Sequence, residues 1–430
     1  MAFSRRKFLA ASVAAPLVIS RSAAIAANEK LALGFIGVGT MGRGHLGDFL
    51  NRSEVEVVAV CDVVKERLDN AKLMVEKKYS SRIKSGDYAG VKAYADFRNL
   101  LNHKGLDAVV IATPDHWHAI VSVVAARAGK HIYCEKPLTQ NIADGRWLVD
   151  EVKKAKVTFQ TGSQQRSEYG NRFRSAVEMI WNGWIGTVKT VRIGVGGPAK
   201  PCDLPAQDIP PGTDWDTWLG PAPERPYHSD LCPKGVHNHF PAWRNYSEYA
   251  NGLMADMGAH HFDIAQWALK KDKTGPVEVI PPQDPKTGAG LRFVYADGVV
   301  MIHNQFEKNA SGKEIKADCV FEGTNGKILV GREQLEVLLA DGSKAKFPDS
   351  PQRVYPSNNH KSNWLECIKS SKECICPPET GHRTATICLL GNIGYRLGRK
   401  LKWDAAKELF VGDDKANKEL SREPREEWKV

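Results

Sequence analysis

The pattern Gly37-Val38-Gly39-Thr40-Met41-Gly42 constrains this chain more than any other feature, because it stands between an apolar run, Leu31 to Val38, and a helix-like segment. A strand, a glycine-rich turn and a helix in that order form the fingerprint of a dinucleotide-binding βαβ unit. Gly37 permits the tight turn, Gly39 lets backbone approach a pyrophosphate, and Gly42 allows the helix to pack closely. The phosphates would rest on the helix start at Thr40 and Met41, where free N–H groups and the helix dipole favour negative charge. A second apolar run, Glu54 to Cys61, ends at Asp62, twenty residues after Gly42. An acid there accepts hydrogen bonds from both ribose hydroxyls and repels a 2′-phosphate, so NAD is expected rather than NADP, although Lys65 and Arg67 lie close by. The competing role for Asp62 is a plain helix cap.

Further apolar runs follow at Leu106 to Ala112, His131 to Cys134 and Val157 to Gln160, with helix-like segments between them. Strands that are almost continuously apolar and alternate with helices indicate a parallel sheet covered on both faces. The predicted fold is therefore α/β, with a doubly wound Rossmann domain over residues 28–158. Beyond it come an amphipathic helix, Arg172 to Asn182, and alternating strands at Val188 to Gly194, Gly290 to Tyr295, Val299 to Phe306 and Ala317 to Glu322. Turns such as Ala296-Asp297-Gly298 join them, so residues 159–430 are expected to form an α+β domain with a mainly antiparallel sheet. A helix near 384–401 is placed to pack back on the first domain. Between the domains, Pro198 to Pro241 is rich in Pro, Trp and His and lacks periodicity, which suits a wall or lid over a binding site.

The chain opens with Ser4-Arg5-Arg6-Lys7-Phe8-Leu9, an apolar run to Ile19, and small residues at Ala24-Ile25-Ala26. This is the layout of a twin-arginine export signal over residues 1–27, which predicts a periplasmic protein. No later segment reaches the ~20 apolar residues of a membrane span, so no membrane partner is expected after export. Losing Arg5, Arg6, Lys7 and Arg21, with no acid among residues 1–27, lowers the formal charge from +10 to +6. The remaining charges alternate in sign and form no basic stripe, which argues against nucleic acid. Nine cysteines are present; Cys61, Cys134 and Cys319 sit among apolar neighbours as small buried hydrophobes, while Cys202 and Cys232 flank the Pro-rich segment and are candidates for a disulfide. Cys374-x-Cys376 has no second pair at zinc spacing, and no metal is expected.

Two clusters carry candidate chemistry. Cys134-Glu135-Lys136-Pro137 sets a lysine at the carboxyl edge of the parallel sheet, where ligands of open α/β folds bind; the alternative is a surface cation. Asp256-Met257-Gly258-Ala259-His260-His261-Phe262-Asp263 precedes a helix and puts Asp256 and His260 at i,i+4, so that the carboxylate is expected to orient a histidine base. Adjacent histidines diverge by about 100° on a helix, which speaks against a shared metal.

Together with the glycine fingerprint, Asp62 and the Thr113-Pro114 loop with His116 and His118, these residues resemble the Gfo/Idh/MocA family, named for glucose-fructose oxidoreductase, inositol dehydrogenase and a rhizopine-catabolism protein. The resemblance spans residues 31 to 405. It implies that Lys136 is the catalytic lysine, His260 the acid/base and Asp256 its orienting partner. It also implies an open sheet in the second domain that serves homodimer or homotetramer contacts. The cofactor site is expected to include Thr113, Pro114, His118, Glu135, Lys136 and Gln164. Candidates for contact with a carbohydrate are Arg166, His237, Trp243, Tyr246 and His261, with Trp215, Trp218 and His239 nearby; tryptophans in such loops also build local cores. The implied activity is NAD-dependent oxidation of a sugar, sugar derivative or cyclic polyol. Because the twin-arginine route exports folded proteins, the dinucleotide is expected to travel tightly bound. That leaves open a redox-neutral glycosidase, which oxidises, eliminates, hydrates and re-reduces one substrate and needs no carboxylate pair. A catalytically silent nucleotide-binding protein is the remaining alternative.

Overall fold

A computed structural model describes residues 30–308, 311–344 and 346–430, so the export-signal reading of residues 1–27 lies outside the described residues. Strands β1 (Leu31–Ile36), β2 (Val55–Cys61), β3 (Lys92–Tyr94), β4 (Ala108–Ile111), β5 (His131–Cys134) and β6 (Phe159–Thr161) form a parallel sheet in the order β3-β2-β1-β4-β5-β6. All four residues of β4 are buried, as expected for a strand covered on both faces. The strand order reverses between β1 and β4, which opens a crevice at their carboxyl ends. β6 pairs with β5 through Ile132 and Phe159, so the first domain runs a few residues past 158.

The second domain is built on a nine-stranded sheet, β13-β12-β11-β7-β10-β9-β8-β14-β15. Its strands are β7 (Val188–Ile193), β8 (Glu278–Ile280), β9 (Arg292–Val294), β10 (Val300–His303), β11 (Cys319–Gly323), β12 (Gly326–Val330), β13 (Leu335–Leu339), β14 (Leu401–Asp404) and β15 (Leu409–Phe410). Pairing is antiparallel except between β10 and β7, whose parallel register makes the sheet mixed. Helices Arg172–Trp181, Gly258–Ala268 and Pro378–Leu397 bury one face, with Phe173, Phe262, Phe293 and Phe321 fully enclosed between them and the strands. The opposite face carries a charged ladder in which Arg192 and Lys327 each pair with both Glu307 and Glu322. Along β11 and β12, Cys319, Phe321, Ile328 and Val330 face the main core, while on the other face Val320 and Leu329 form a small apolar cluster beside the charged Glu322 and Lys327.

The Pro378–Leu397 helix does lie on the first domain. Glu379 accepts hydrogen bonds from Arg146 at 2.8 and 3.0 Å, and a Cβ on Gly381 would come within 2.3 Å of the Thr161 hydroxyl. All nine cysteines are free; Cys202 and Cys232 pack into the Pro-rich segment's own core and do not pair with each other.

Arg166 corrects an expectation. Instead of facing a substrate, its guanidinium is 1% exposed, bonded to Asp263 at 2.8 Å through both ends of the fork and to Asp272 at 2.8 and 2.9 Å. It also covers the Trp267 ring at 4.9 Å. The chain turns away from the nucleotide side after β6, and two carboxylates of the second domain capture the arginine there. Truncating one member of a buried ion cluster strands the others without partners. Arg166→Ala should lower unfolding free energy by about 3–5 kcal/mol, measured by chemical denaturation; a loss below 1 kcal/mol would contradict this structural role.

Candidate active site

The glycine turn is built as its sequence requires. Gly37 has φ +82°, and a Cβ there would meet Ala112 backbone at 2.8 Å. A Cβ on Gly42 would lie 2.0 Å from the Gly37 carbonyl oxygen, so only glycine lets the helix Thr40–Phe49 approach its own turn. Gly39 differs: a Cβ would meet nothing within 4 Å, and the residue lines a cavity of about 790 Å³. That open space above a helix N-terminus fits a pyrophosphate. Asp62 lines the same cavity and ties the turn to β2, accepting from Val38 N–H and Val64 N–H at 2.9 Å each. Burial pushes its carboxyl pKa up, opposed by Arg67 and these amides.

The second and third walls come from the ends of β4 and β5. His118 lies between the Thr113 and Pro137 carbonyls at 3.0 and 2.8 Å and joins the two loops. Glu135 bonds the His45 ring at 2.7 Å and accepts from Gln164 Nε2 at 2.7 Å. Burial opposes its ionisation, yet the hydrogen bond and charge of His45, with Lys136 and Gln164, hold its pKa at about 2. Lys136 Nζ donates to Asp256 Oδ1 at 2.6 Å and to the Asp256 carbonyl at 2.8 Å.

His260 lines the cavity from the start of the Gly258–Ala268 helix. Burial, then the charges of Lys136 and Arg332, hold its pKa well below the ordinary 6.5, so the ring is neutral near pH 7. Its buried Nδ1 has no partner among the described residues. Asp256 is therefore not the orienting partner of His260, although the two are four residues apart. Its carboxylate turns to the ammonium of Lys136, and a full positive charge attracts it more strongly than a neutral imidazole does. Burial opposes ionisation of Asp256 too, but Lys136 and Arg244 keep its carboxyl below the usual range.

The Pro-rich segment closes over the nucleotide turn. Thr40 Oγ1 donates to the His239 carbonyl at 2.9 Å, Arg43 Nη2 to the His237 carbonyl at 2.5 Å, and Arg67 Nε to the Gly235 carbonyl at 3.0 Å. Trp215 and Trp218 stack with centroids 4.7 Å apart, and together with Tyr227, Tyr246 and Tyr249 they make a local core. His237, Trp218 and Trp243 reach the cavity, whereas Trp215 and Tyr246 do not. Tyr246 is 5% exposed inside that core and is not a substrate contact. His261 is also misassigned by sequence: its Nδ1–H donates to the Gly194 carbonyl at 2.9 Å, and the residue does not line the cavity. The other predicted positions, Gly37, Gly39, Thr40, Met41, Asp62, Thr113, Pro114, His118, Glu135, Lys136, Gln164, Asp256, His260, His237 and Trp243, line one cavity, with Gly42 directly beneath the turn. Sequence reasoning missed His45, Tyr169, Arg244 and Arg332. His45 follows the glycine turn by one helical step and could have been found there; the others come from distant segments with no local signal.

Residues 199–430 match the model of the Gfo/Idh/MocA oxidoreductase C-terminal alpha/beta domain, and residues 31–163 match that of the family's NAD-binding Rossmann fold. The chain belongs to this family, and its N-terminal domain is an NAD-binding domain. Myo-inositol 2-dehydrogenase of Thermotoga maritima is 26% identical over 64% of this chain and 60% of its own length. A glycosyl hydrolase family 109 protein of Stenotrophomonas maltophilia is 30% identical over 50% of each chain. The chain thus spans 50–60% of the length of these relatives. Aldose-aldose oxidoreductase from Caulobacter crescentus, solved with glycerol, shares the fold with a TM-score of 0.57 at 19% identity, over 87% of this chain and all of that one.

The geometry at Gly39 separates binding from folding. Gly39→Ala should fold normally, because the added Cβ meets no protein atom within 4 Å, yet intrude on the phosphate space and weaken NADH binding by at least about tenfold. Fluorescence titration of NADH beside a thermal melt checks this; unchanged affinity would place the pyrophosphate elsewhere.

Proposed function

We propose that this protein is an NAD-dependent oxidoreductase acting on a sugar, sugar derivative or cyclic polyol. One observation carries the reading: Lys136 and a neutral His260 line the same cavity as the glycine turn. NAD bound on that turn would accept hydride from the hydroxyl-bearing carbon. His260 takes the hydroxyl proton, and Lys136 donates a hydrogen bond to the same oxygen as charge develops on it. Asp256 fixes the Lys136 ammonium, and Glu135 with His45 and Gln164 stiffens the loop that presents it. The sugar and polyol chemistry named in the relatives agrees with a cavity that mixes donors with the Trp218 and Trp243 faces.

A second reading draws on the segment strapped over the nucleotide turn. A dinucleotide held under Thr40, Arg43 and Arg67 and their carbonyl partners would be slow to leave and would have to be reset in place. That suits a redox-neutral glycosidase, and one relative carries a glycosyl hydrolase name. Protein purified without added cofactor should be assayed for bound nucleotide, NADH formation with sugars and aglycone release from chromogenic glycosides. NADH formation that requires added NAD supports the dehydrogenase; aglycone release with no net reduction supports the glycosidase.

In either case His260→Ala should reduce kcat by about 10²- to 10⁴-fold, and full turnover would remove the acid/base assignment. The base works only while unprotonated, and its pKa lies below 6.5, so kcat/KM should stay level from pH 8 down to about 6.5 and fall only at lower pH.

Export through the twin-arginine pathway and homo-oligomerisation through the charged outer face of the second sheet complete the proposal. The paired arginines and following apolar run support the first. Replacing Arg5 and Arg6 by lysine should retain the protein in the cytoplasm, read by cell fractionation; periplasmic accumulation of that variant would argue against the route.

A further inference from the structure

Around His260 the cations of the cavity wall exceed the acids that pair with them. Lys136 is matched by Asp256. Lys361 is matched by Asp48 at 2.5 Å, outside the cavity lining. Arg244 reaches Asp256 only at 3.7 Å and lies over the rings of Trp243 and Phe240 at 4.2 and 4.8 Å. Arg332, on the turn between β12 and β13, donates from Nε to Gln165 Oε1 at 3.0 Å and from its backbone N–H to Asp318 Oδ2 at 3.1 Å, and among the described residues no carboxylate pairs with its guanidinium. Of the remaining acids on the wall, Asp62 is tied to the nucleotide turn and Glu135 to His45, while burial, then the Asp256 charge, raises the Asp115 carboxyl well above the ordinary carboxylate range. Burial raises the Glu168 carboxyl, opposed by the Lys361 charge and the His360 N–H.

Arg332 is held in place at a conformational cost. Tyr169, Gly170 and Asn171 have φ of +58°, +64° and +60°, and this left-handed run puts the Tyr169 ring 4.8 Å from the Arg332 guanidinium carbon. Left-handed backbone is unfavourable for Tyr and uncommon for Asn, and it persists only where surrounding contacts impose it. Those contacts include Arg172 Nη1, which donates to the Tyr169 and Arg332 carbonyls at 3.0 and 3.1 Å. The result is an arginine with Nε committed, its plane set on an aromatic ring, and its terminal nitrogens left for something that enters the cavity.

We propose that Arg332 binds an acidic group of the substrate, so that the natural substrate is an anionic sugar bearing a carboxylate or a phosphate rather than a neutral sugar or polyol. The inference rests on the sugar-oxidoreductase reading and narrows it. The guanidinium fork offers two parallel donors to two oxygens of such a group. Arg244 adds positive charge on the same wall, where it shares Asp256 with Lys136, so an acidic group entering beside Arg332 would meet two guanidinium groups served by one carboxylate.

The test is calorimetric titration of the full mature protein loaded with NADH, using matched hexose, hexuronate and hexose-phosphate sets, with oxidation assayed on the same compounds in the NAD form. At least one anion should bind about tenfold or more tightly than its neutral counterpart, with affinity falling as salt rises. The uronates and phosphates tell the two acidic groups apart. Arg332→Gln should collapse that preference, Arg332→Lys should retain part of it, and NADH affinity and melting temperature report that both variants are folded. Neutral sugars binding as well as every anion, or an anion preference unchanged in Arg332→Gln, would overturn the proposal. Oxidation of neutral sugars with no anion preference would overturn it while leaving the oxidoreductase reading intact. Arg332-dependent anion binding without oxidation of any sugar would uphold the anion site and sink that reading.

Discussion

Lys136 and Asp256 meet at 2.6 Å where the edge of the parallel sheet faces the helical layer of the second domain, and the chemistry of the cavity depends on that pair. At 10% side-chain exposure the lysine has little water to face, and a buried charge is costly without a partner. The Asp256 carboxylate supplies the opposite charge that its buried ammonium faces. The same pairing takes Asp256 away from His260, whose buried Nδ1 has no partner among the described residues and whose pKa is held low by burial, then by the charges of Lys136 and Arg332. A cation and a neutral base can thus stand side by side, because Lys136 holds the carboxylate while burial disfavours the charged form of His260. Catalytic groups with opposite tasks are commonly separated in this way by their surroundings.

Two further ion clusters hold the pair in position from outside the cavity. Arg166 with Asp263 and Asp272 binds the turn after β6 to the helix that carries His260. Arg146 with Glu379 and Glu408 fixes the long Pro378–Leu397 helix against the first domain. The seam between domains is therefore polar and bonded, and the spacing between Lys136 and His260 is set by elements that cannot slide independently. The Pro-rich segment adds a third constraint. Its own core of stacked tryptophans gives it shape, and its backbone carbonyls receive Thr40, Arg43 and Arg67 from the nucleotide side. A segment without regular periodicity can hold a fixed shape when aromatic packing replaces secondary structure.

Much of the cofactor half was legible in the sequence because its determinants are local. Gly37, Gly39 and Gly42 act within one turn, and Asp62 lies at the end of the neighbouring strand. Glu135-Lys136-Pro137 occupies the carboxyl edge of β5, where ligands of such sheets bind. The substrate half was read less well. Arg166 and His261 have the right chemistry at plausible places in the chain, yet one is captured by Asp263 and Asp272 and the other by the Gly194 carbonyl. Tyr246 sits two residues from the cavity-lining Arg244, but its ring belongs to the core beneath. Arg332 could not be singled out, since an arginine in a turn between two strands usually faces water.

The sequence by itself determined the strand, turn and helix that grip a dinucleotide, the two-domain division, and the residue types available for proton transfer. These follow from glycine conformations, apolar periodicity and motifs a few residues long, all of which act through neighbours along the chain. Only the tertiary structure decided that Asp256 serves Lys136 and not His260, that Arg166 is structural, and that Arg332 stands at the cavity wall with no carboxylate on its guanidinium among the described residues. Those outcomes depend on which charges meet across the two sheets, and electrostatic pairing is governed by distance in space and by burial, neither of which is written in sequence separation.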